Sequence, residues 1–174
     1  MKNFFRITFF LFAVCVVSGF LLSFFYTKSI DRIKENERKT KIEAIDKIFG
    51  NEKVLEKEVS GKKYWVVGDK GFAFEAKGMG FQDEIIAMIG VTKNFEIKGI
   101  VVLKCLDTPG LGAEVAGDKF LNQFKGKSAP FEVVRNIASG PHKIQAVTGA
   151  TISSKAFVKM VNSAIKEMKK KIKK

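Results

Sequence analysis

The feature that most constrains this chain is an uncharged apolar run near its N-terminus. Ile7 to Tyr26 carries no charge over about 20 positions, the length an α-helix needs to cross a bilayer. Lys2 and Arg6 precede the run, as they would precede a membrane anchor or a cleaved signal peptide. The run ends in bulky residues from Phe20 onward, and no small-residue cleavage site follows. The sequence therefore predicts an uncleaved transmembrane helix within residues 1–26.

A charged segment, residues 27–50, follows the apolar run. Isoleucines and Phe49 form an interrupted apolar stripe there, and charged residues of both signs fill the other positions. Gly50 and Asn51 are typical of a helix end. We expect a juxtamembrane helix from Lys28 to Phe49 that continues the anchor as a stalk. Residues 51–174 are left for one extramembrane domain.

Charge and cysteine content narrow the function classes. The net charge of +13 over 174 residues invites a nucleic-acid partner. Two observations argue against such a partner: the chain is predicted to be anchored in a membrane, and its positive charge is not gathered in one recognition element. The C-terminal lysines can be solvated, or they can meet anionic lipid or an acidic partner. Cys15 and Cys105 are expected to lie far apart, and His142 is the only histidine, so neither a disulfide nor a zinc site is predicted. The C-terminal lysines are Lys166, Lys169, Lys170, Lys171, Lys173 and Lys174.

The rest of the chain is predicted to be an α+β domain, with an antiparallel sheet flanked by helices. Alternating apolar residues predict strands, with Trp65 and most phenylalanines in the core. A Gly-punctuated loop is expected at 78–81, a helix at 116–124, and an amphipathic helix after Ser154. The predicted strands are Val54–Val59, Tyr64–Val67, Gly71–Ala76, Glu84–Val91, Ile97–Leu103, Phe131–Arg135 and Ile144–Val147.

A hydroxyl-rich turn, residues 148–154, connects the last predicted strand to the last helix. Gly149 lets the backbone approach a ligand, and the positive end of the helix dipole points at the turn, which suits a phosphate. A Ser/Thr cap after a Gly turn has the same composition. From these residues alone the helix cap is the simpler interpretation.

A second loop, residues 107–112, follows the strongest pair of strands. Pro109 fixes φ and removes a hydrogen-bond donor, while Gly110 and Gly112 permit unusual backbone angles. The loop is either a tight turn or a place where backbone and Thr108 approach a ligand.

Together the two stretches resemble a known family. Thr148-Gly149-Ala150-Thr151 is similar to the Ser/Thr-Gly-Ala-Thr motif of the FMN-binding domain of membrane redox pumps. Residues 107–113 resemble the Glu-Thr-Pro-Gly-Leu-Gly loop of the same domain, with Asp107 in place of Glu. Two motifs in the right order are far more specific than either alone. The similarity is greatest to the flavin subunits of Rnf-type electron-transport complexes, with sodium-pumping NADH:quinone reductases as close relatives.

The resemblance implies a cofactor and its site. FMN would be held covalently by a phosphoester bond to Thr151, with Thr148 and Ser153 as hydrogen-bond donors to phosphate oxygens. Gly149 and Ala150 would keep the approach open. The other loop would bring residues near the flavin, namely Asp107, Thr108, Leu111 and Gly112. A flavin transferase that takes FMN from FAD would make the bond, and its recognition pattern begins with Asp where this chain has Gln145.

The resemblance also implies location and partners. The N-terminus would be cytoplasmic, the flavin domain would lie on the outer side of the cell membrane, and other membrane subunits would exchange electrons with it. Such complexes couple ferredoxin/NAD electron transfer to Na⁺ or H⁺ movement. We find no arrangement of general acid, base or nucleophile, so no independent catalytic site and no metal site are expected. The alternatives are the C-type subunit of a Na⁺-translocating NADH:quinone reductase, a non-redox anchored binding protein and a flavin-dependent sensor.

Overall fold

The computed structural model describes residues 2–59, 61–108, 110, 112–136 and 140–172. Four residues named above therefore lie outside the described residues: Pro109, Leu111, Lys173 and Lys174. The chain divides into two units, residues 1–40 and residues 41–174.

The first unit is helical. Helix α1 runs from Lys2 to Phe49 and so begins in the first unit and ends in the second. It contains an 18-residue window with a mean hydropathy of 2.5, and it is the one helix in the described part of the chain that is long and apolar enough to cross a membrane. In the first unit its large apolar side chains between Phe4 and Tyr26, such as Phe12 and Phe20, are exposed. The predicted helix from Lys28 to Phe49 is confirmed as part of α1, which Gly50 ends by bonding its N–H to the carbonyl of Asp46.

The second unit is built on a five-stranded antiparallel sheet in the order β1-β2-β3-β4-β5. Each strand pairs with the next one along the chain, so short turns suffice to connect them. The predicted sheet is confirmed, and most strand boundaries agree within three residues. The strands are β1 Val54–Val59, β2 Lys62–Val67, β3 Gly71–Met79, β4 Glu84–Val91 and β5 Ile97–Cys105.

Each face of the sheet has its own core, because successive side chains of a strand point to opposite faces. On one face the end of α1, including Ile45 and Phe49, packs against Trp65 and Met88. On the other face helix α3, Thr151–Ile172, packs its apolar stripe against the sheet and a group of phenylalanines. The predicted stripe on α3 is confirmed, with Phe157, Met160, Val161, Ile165 and Met168 buried.

Two short strands lie apart from the main sheet. Strand β6, Glu132–Val134, pairs with β7, Lys143–Gln145, in parallel. Strand β7 is shorter than predicted because the N–H of Val147 bonds to the hydroxyl of Ser154 instead of to a strand. Sequence analysis did not predict the parallel pairing.

Three other local predictions were wrong in detail. Gly78 and Met79 belong to β3, because pairing with β4 outweighs the local preference of glycine for a loop. The helix expected at 116–124 is only α2, Asp118–Leu121, flanked by 3₁₀ turns, because the backbone of Gly117 is extended. The stretch expected to be a turn up to Ser154 becomes helical already at Thr151.

Candidate functional site

A tight turn positions the start of α3. The N–H of Ala150 donates to the carbonyl of Val147 at 3.0 Å, which closes a four-residue turn. Gly149, the third residue of this turn, has φ of +79°. A type II turn needs a positive φ at that place, and glycine adopts it without steric cost. The glycine in the Thr-Gly-Ala-Thr motif therefore serves the turn that delivers Thr151 to the first position of the helix.

Ser154 locks this turn to the helix. Its hydroxyl donates to the carbonyl of Ala150 at 2.9 Å and accepts the N–H of Val147 at 3.0 Å. The Ser154 side chain is fully buried. Sequence reasoning quoted Ser154 in the motif but assigned it no role; its spacing of four residues from Ala150 was the available signal.

Thr148 and Thr151 present their hydroxyls differently from Ser154. Thr148 is exposed and Thr151 is half-buried, and neither hydroxyl makes a hydrogen bond to any described residue. The N–H groups of Thr151, Ile152 and Ser153 belong to the first turn of α3, for which a helix provides no internal partner. The start of α3 thus combines free hydroxyls, free N–H groups and the positive end of the helix dipole.

Asp107 is buried beside this helix and accepts hydrogen bonds from Ser153 and from residues 81–83; this group is called the Asp107 arrangement. Its carboxylate is 3% exposed. One oxygen, Oδ1, accepts the N–H groups of Gln82 at 2.9 Å and Asp83 at 3.4 Å. The other, Oδ2, accepts the N–H of Phe81 at 3.2 Å and the hydroxyl of Ser153 at 2.7 Å. The structure therefore brings together Asp107 and Ser153, two of the predicted site residues.

These hydrogen bonds determine the charge state of Asp107. Burial by itself would raise the pKa of its carboxyl group. The bonds from Gln82 N–H, from the Ser153 hydroxyl and from Phe81 and Asp83 N–H act in the opposite direction, and the resulting pKa lies below the ordinary value. Asp107 is therefore an ionised carboxylate at neutral pH.

The chain on either side of Asp107 is closely fitted to it. A Cβ atom added at Gly80 would lie 2.6 Å from the carboxylate Oδ2, and one added at Gly112 would lie 2.7 Å from the Asp107 Cβ. Both distances are shorter than non-bonded contacts allow. Gly80 and Gly112 are thus needed for close approach to this side chain.

Thr108, the next residue, also bonds within the protein. Its hydroxyl donates to the Gln82 side-chain carbonyl at 3.2 Å, and its own carbonyl accepts the N–H of Ala113. Gly112 is buried at the start of a 3₁₀ turn, Gly112–Ala116. Leu111, the remaining predicted residue of this loop, lies outside the described residues.

Four large apolar side chains that are close in sequence to Asp107 or its hydrogen-bond partners are exposed. Phe81 donates its N–H to Asp107, Leu106 precedes Asp107, and Ile152 precedes Ser153. These three side chains and Met79 are between 60% and 67% exposed. Large exposed apolar side chains can contribute to a binding surface where they form a contiguous patch. Sequence analysis did not single them out, because which apolar residues stay exposed is decided by packing.

Gln123 fixes the strand that enters the motif. Its side-chain carbonyl accepts the N–H of Gln145 at 2.7 Å, and its amide group donates to the carbonyl of Gln145 at 3.2 Å. A cleft of about 330 Å³ lies alongside, bounded by residues 145–148 on one side and by Gly117 and Lys119 on the other. Gln145 therefore lines an open cleft next to the turn at Gly149.

Comparison with known proteins finds a family match that spans both motif stretches. The sequence model of the FMN-binding domain family matches residues 80–166, which span Gly80, Asp107 and Thr151. The chain is 29% identical over 172 residues to the G subunit of the proton-translocating ferredoxin:NAD(+) oxidoreductase complex of Clostridium ljungdahlii, covering 96% of this chain and 92% of that protein.

Two more relatives match over shorter lengths. The G subunit of the Na(+)-translocating ferredoxin:NAD(+) oxidoreductase complex of Acetobacterium woodii is 40% identical over 89 residues, which is 49% of this chain and 42% of that protein. The crystal structure of Shewanella oneidensis NqrC superposes with a TM-score of 0.53 at 23% identity, covering 60% of this chain and 55% of the other. This likeness shows a shared fold over the matched part. The family match, which spans half of the chain and both motif stretches, identifies the protein as a member of the FMN-binding domain family.

Proposed function

We propose that this protein is a membrane-anchored carrier of covalently bound FMN that relays electrons within an Rnf-type, ion-translocating ferredoxin:NAD oxidoreductase complex. The observation that carries the proposal is the environment of Thr151. Its hydroxyl lies at the first position of α3, after the Gly149 turn, and makes no hydrogen bond to any described residue. The nearly full-length similarity to the Clostridium ljungdahlii protein supports the assignment to such a complex.

The residues at the start of α3 fit a phosphate. Three N–H groups of the first helical turn have no helical partner, and the helix dipole favours an anion at this end. Ala150, just before the acceptor, adds only a methyl group, which is buried. The exposed hydroxyl of Thr148 can donate to a phosphate oxygen. Bound in this way, FMN supplies an isoalloxazine ring that exchanges one or two electrons.

Attachment to Thr151 is a group transfer without change of oxidation state. The bond that forms joins the Thr151 Oγ1 to the FMN phosphorus of FAD. The bond that breaks is the pyrophosphate P–O bond of FAD, so AMP is the leaving group and the threonine proton is released. A threonine hydroxyl is a weak nucleophile, so a flavin transferase has to activate it. The role of the protein is to hold the hydroxyl accessible and correctly oriented.

The exposed apolar side chains beside Asp107 provide a surface for the flavin ring. Phe81, Leu106 and Ile152 are each adjacent in sequence to, or part of, the Asp107 arrangement. Covering exposed apolar groups with a flat aromatic ring is favourable because it removes them from water. In this proposal Thr108, Leu111 and Gly112 border the ring through the loop that follows Asp107.

The N-terminal helix supports placement of the protein in a membrane complex. One described helix meets the length and hydropathy for a single-pass anchor. The proposal adds that the N-terminus is cytoplasmic, that the flavin domain lies on the outer side and that α1 contacts the lipid bilayer. Other membrane subunits would be the electron donor and acceptor.

The direct test is to look for flavin on the acceptor peptide. The full chain is isolated from its native membrane, or co-expressed with a flavin transferase, and denatured on a gel. Flavin fluorescence on the gel and an FMN mass on the peptide spanning residues 144–155, localised to Thr151, are expected. A bare peptide under both conditions would overturn the proposal and favour an anchored binding protein without a redox group.

A further inference from the structure

Asp107 cannot be a free ligand for the cofactor, because its acceptor capacity is already used. A carboxylate offers about four lone-pair directions, and four donors occupy them: three backbone N–H groups and the Ser153 hydroxyl. The side chain is also buried between Gly80 and Gly112. Whatever Asp107 contributes to the site, it contributes through the groups it holds.

Ser153 is the group that leads from Asp107 to the acceptor. It is 1% exposed and donates to Asp107 at 2.7 Å. Successive residues of an α-helix are rotated by about 100°, so residues two apart, such as Thr151 and Ser153, point about 200° apart. Holding Ser153 inward therefore turns Thr151 outward, and Thr151 is the more exposed of the two.

Asp107 also couples the acceptor turn to a distant part of the chain. The Gly80–Asp83 turn between β3 and β4 donates three N–H groups to the same carboxylate that holds α3. This turn carries Phe81, one of the exposed apolar side chains. The first turn of α3 and the Phe81 turn are thus held by one buried charge.

We propose that Asp107 is a positioning residue for flavin attachment: through Ser153 it orients the first turn of α3 so that the Thr151 hydroxyl faces the transferase. This inference rests on the proposed function and extends it. Misplacing a reacting group by about 1 Å can slow a reaction about 100-fold. Loss of the Asp107–Ser153 bond should therefore slow flavin attachment strongly, even where the domain stays folded.

The test measures the initial rate of FMN incorporation into the full chain, in detergent, with FAD and excess purified flavin transferase. Asp107→Asn preserves shape but replaces one acceptor oxygen by a donor. Ser153→Ala removes the hydroxyl, and Ser153→Thr keeps it. We expect Asp107→Asn and Ser153→Ala to slow incorporation about tenfold or more, while Ser153→Thr stays within about threefold of the wild type.

Two controls separate positioning from general stability. Asp69→Asn makes the same chemical change at an exposed carboxylate paired with Lys93 and should leave the rate unchanged. Val161→Ala opens a cavity under α3, where Val161 is fully buried, and should lower the thermal unfolding midpoint with little effect on the rate. If the loss of rate in Asp107→Asn and Ser153→Ala merely follows the loss of thermal stability seen in Val161→Ala, the inference is wrong.

The double variant Asp107→Asn/Ser153→Ala tests the connection itself. If Asp107 acts through Ser153, the double variant should be about as slow as Asp107→Asn alone, because residues acting through one contact are not additive. If the rate losses of the two single variants multiply in the double variant, Asp107 does not act through Ser153. If Asp107→Asn does not fold, the comparison of Ser153→Ala with Ser153→Thr tests the inference alone: slow attachment in Ser153→Ala only supports it, and equal rates contradict it. An unlabelled wild type would refute the proposed function, whereas a labelled wild type with normally labelled variants refutes only the positioning role.

Discussion

The start of α3 and the loop at Asp107 use their polar groups in opposite ways. At the start of α3, the Thr148 and Thr151 hydroxyls make no hydrogen bond to a described residue, although Thr148 lies in the hydrogen-bonded turn and Thr151 follows it directly. At Asp107, a single buried carboxylate accepts four hydrogen bonds from within the protein. Free polar groups at a surface can take a ligand, whereas buried and satisfied ones hold the structure.

The difference shows that two neighbouring segments, joined by the Ser153–Asp107 hydrogen bond, use their polar groups for separate tasks. Ser153 lies two residues from Thr151, yet its hydroxyl is committed to Asp107. In the same helical turn, the Thr151 hydroxyl makes no hydrogen bond to a described residue, whereas the Ser153 hydroxyl holds the helix to Asp107. The following predictions test this division of labour, beginning with the largest expected effect.

Thr151→Ala should abolish covalent flavin and leave the fold intact. The substitution removes the proposed acceptor oxygen, and the lost hydroxyl makes no hydrogen bond to any described residue. Flavin fluorescence on a denaturing gel measures attachment, and the thermal midpoint measures the fold. Thr151→Ser, which retains a hydroxyl, is the matched control and should remain labelled. Undiminished labelling of Thr151→Ala would contradict the proposal that FMN is attached to the Thr151 hydroxyl.

Gly149→Ala should slow attachment several-fold and also destabilise the domain. A side chain at φ of +79° costs about 1–2 kcal/mol, because the left-handed conformation crowds Cβ. Gly126→Ala is the matched control, since Gly126 has φ of +75°, an added Cβ would meet nothing within 4 Å, and it lies outside both motifs. Both variants should lose similar thermal stability, and only Gly149→Ala should lose attachment rate. Equal attachment rates in the two variants would show that the turn at Gly149 does not affect flavin attachment.

The buried carboxylate should reveal itself in acid. The pKa of Asp107 is lower in the folded protein than in the unfolded chain, so the unfolded chain binds the proton more tightly at low pH. The stabilisation is complete above the unfolded pKa of about 4 and is lost as the pH falls through the folded value. The difference in free energy of unfolding between wild type and Asp107→Asn should therefore be constant above about pH 5 and shrink below about pH 4.

Denaturant unfolding in detergent, followed by the fluorescence of Trp65, provides this measurement. Trp65 is the single tryptophan and is buried in the sheet core. Asp69→Asn is the control: the pKa of Asp69 is also lowered, by its hydrogen bond to Lys93, but the pair is exposed, so salt should erase its effect. A difference between wild type and Asp107→Asn that stays constant down to about pH 3 would show that the carboxylate is not held ionised by the fold.

Gln145→Asp should have the smallest effect, with attachment equal to the wild type or faster by up to about twofold. The Gln145 backbone is held by Gln123, so the substitution changes the side chain beside the cleft while the strand stays in place. A new carboxylate would match the pattern expected of transferase substrates. The initial incorporation rate measures the effect, with Gln145→Ala for comparison. A clear loss of rate in Gln145→Asp alone would show that the transferase does not read this position as an acid.

Much of the fold could be predicted from local pattern. Apolar length predicted the helix at the N-terminus, alternation predicted the five antiparallel strands, and the spacing from Phe157 to Met168 predicted the buried face of α3. Errors arose where a partner outside the segment decides the conformation. Gly78 and Met79 are strand because β4 pairs with them, and β7 stops at Gln145 because Ser154 takes the N–H of Val147.

The candidate site divides in the same way. The sequence by itself determined the long apolar helix and the order of the two motifs, because these depend on residue type and spacing along the chain. The resemblance of the motifs to the FMN-binding domain family then indicated Thr151 as the proposed acceptor. Only the tertiary structure decided that Asp107 and Ser153 bond to each other and that Phe81 shares their carboxylate, since residues 26 and 46 positions apart in sequence meet there. Burial and hydrogen-bond satisfaction are properties of the packed chain, and they determine which polar groups remain free for a ligand.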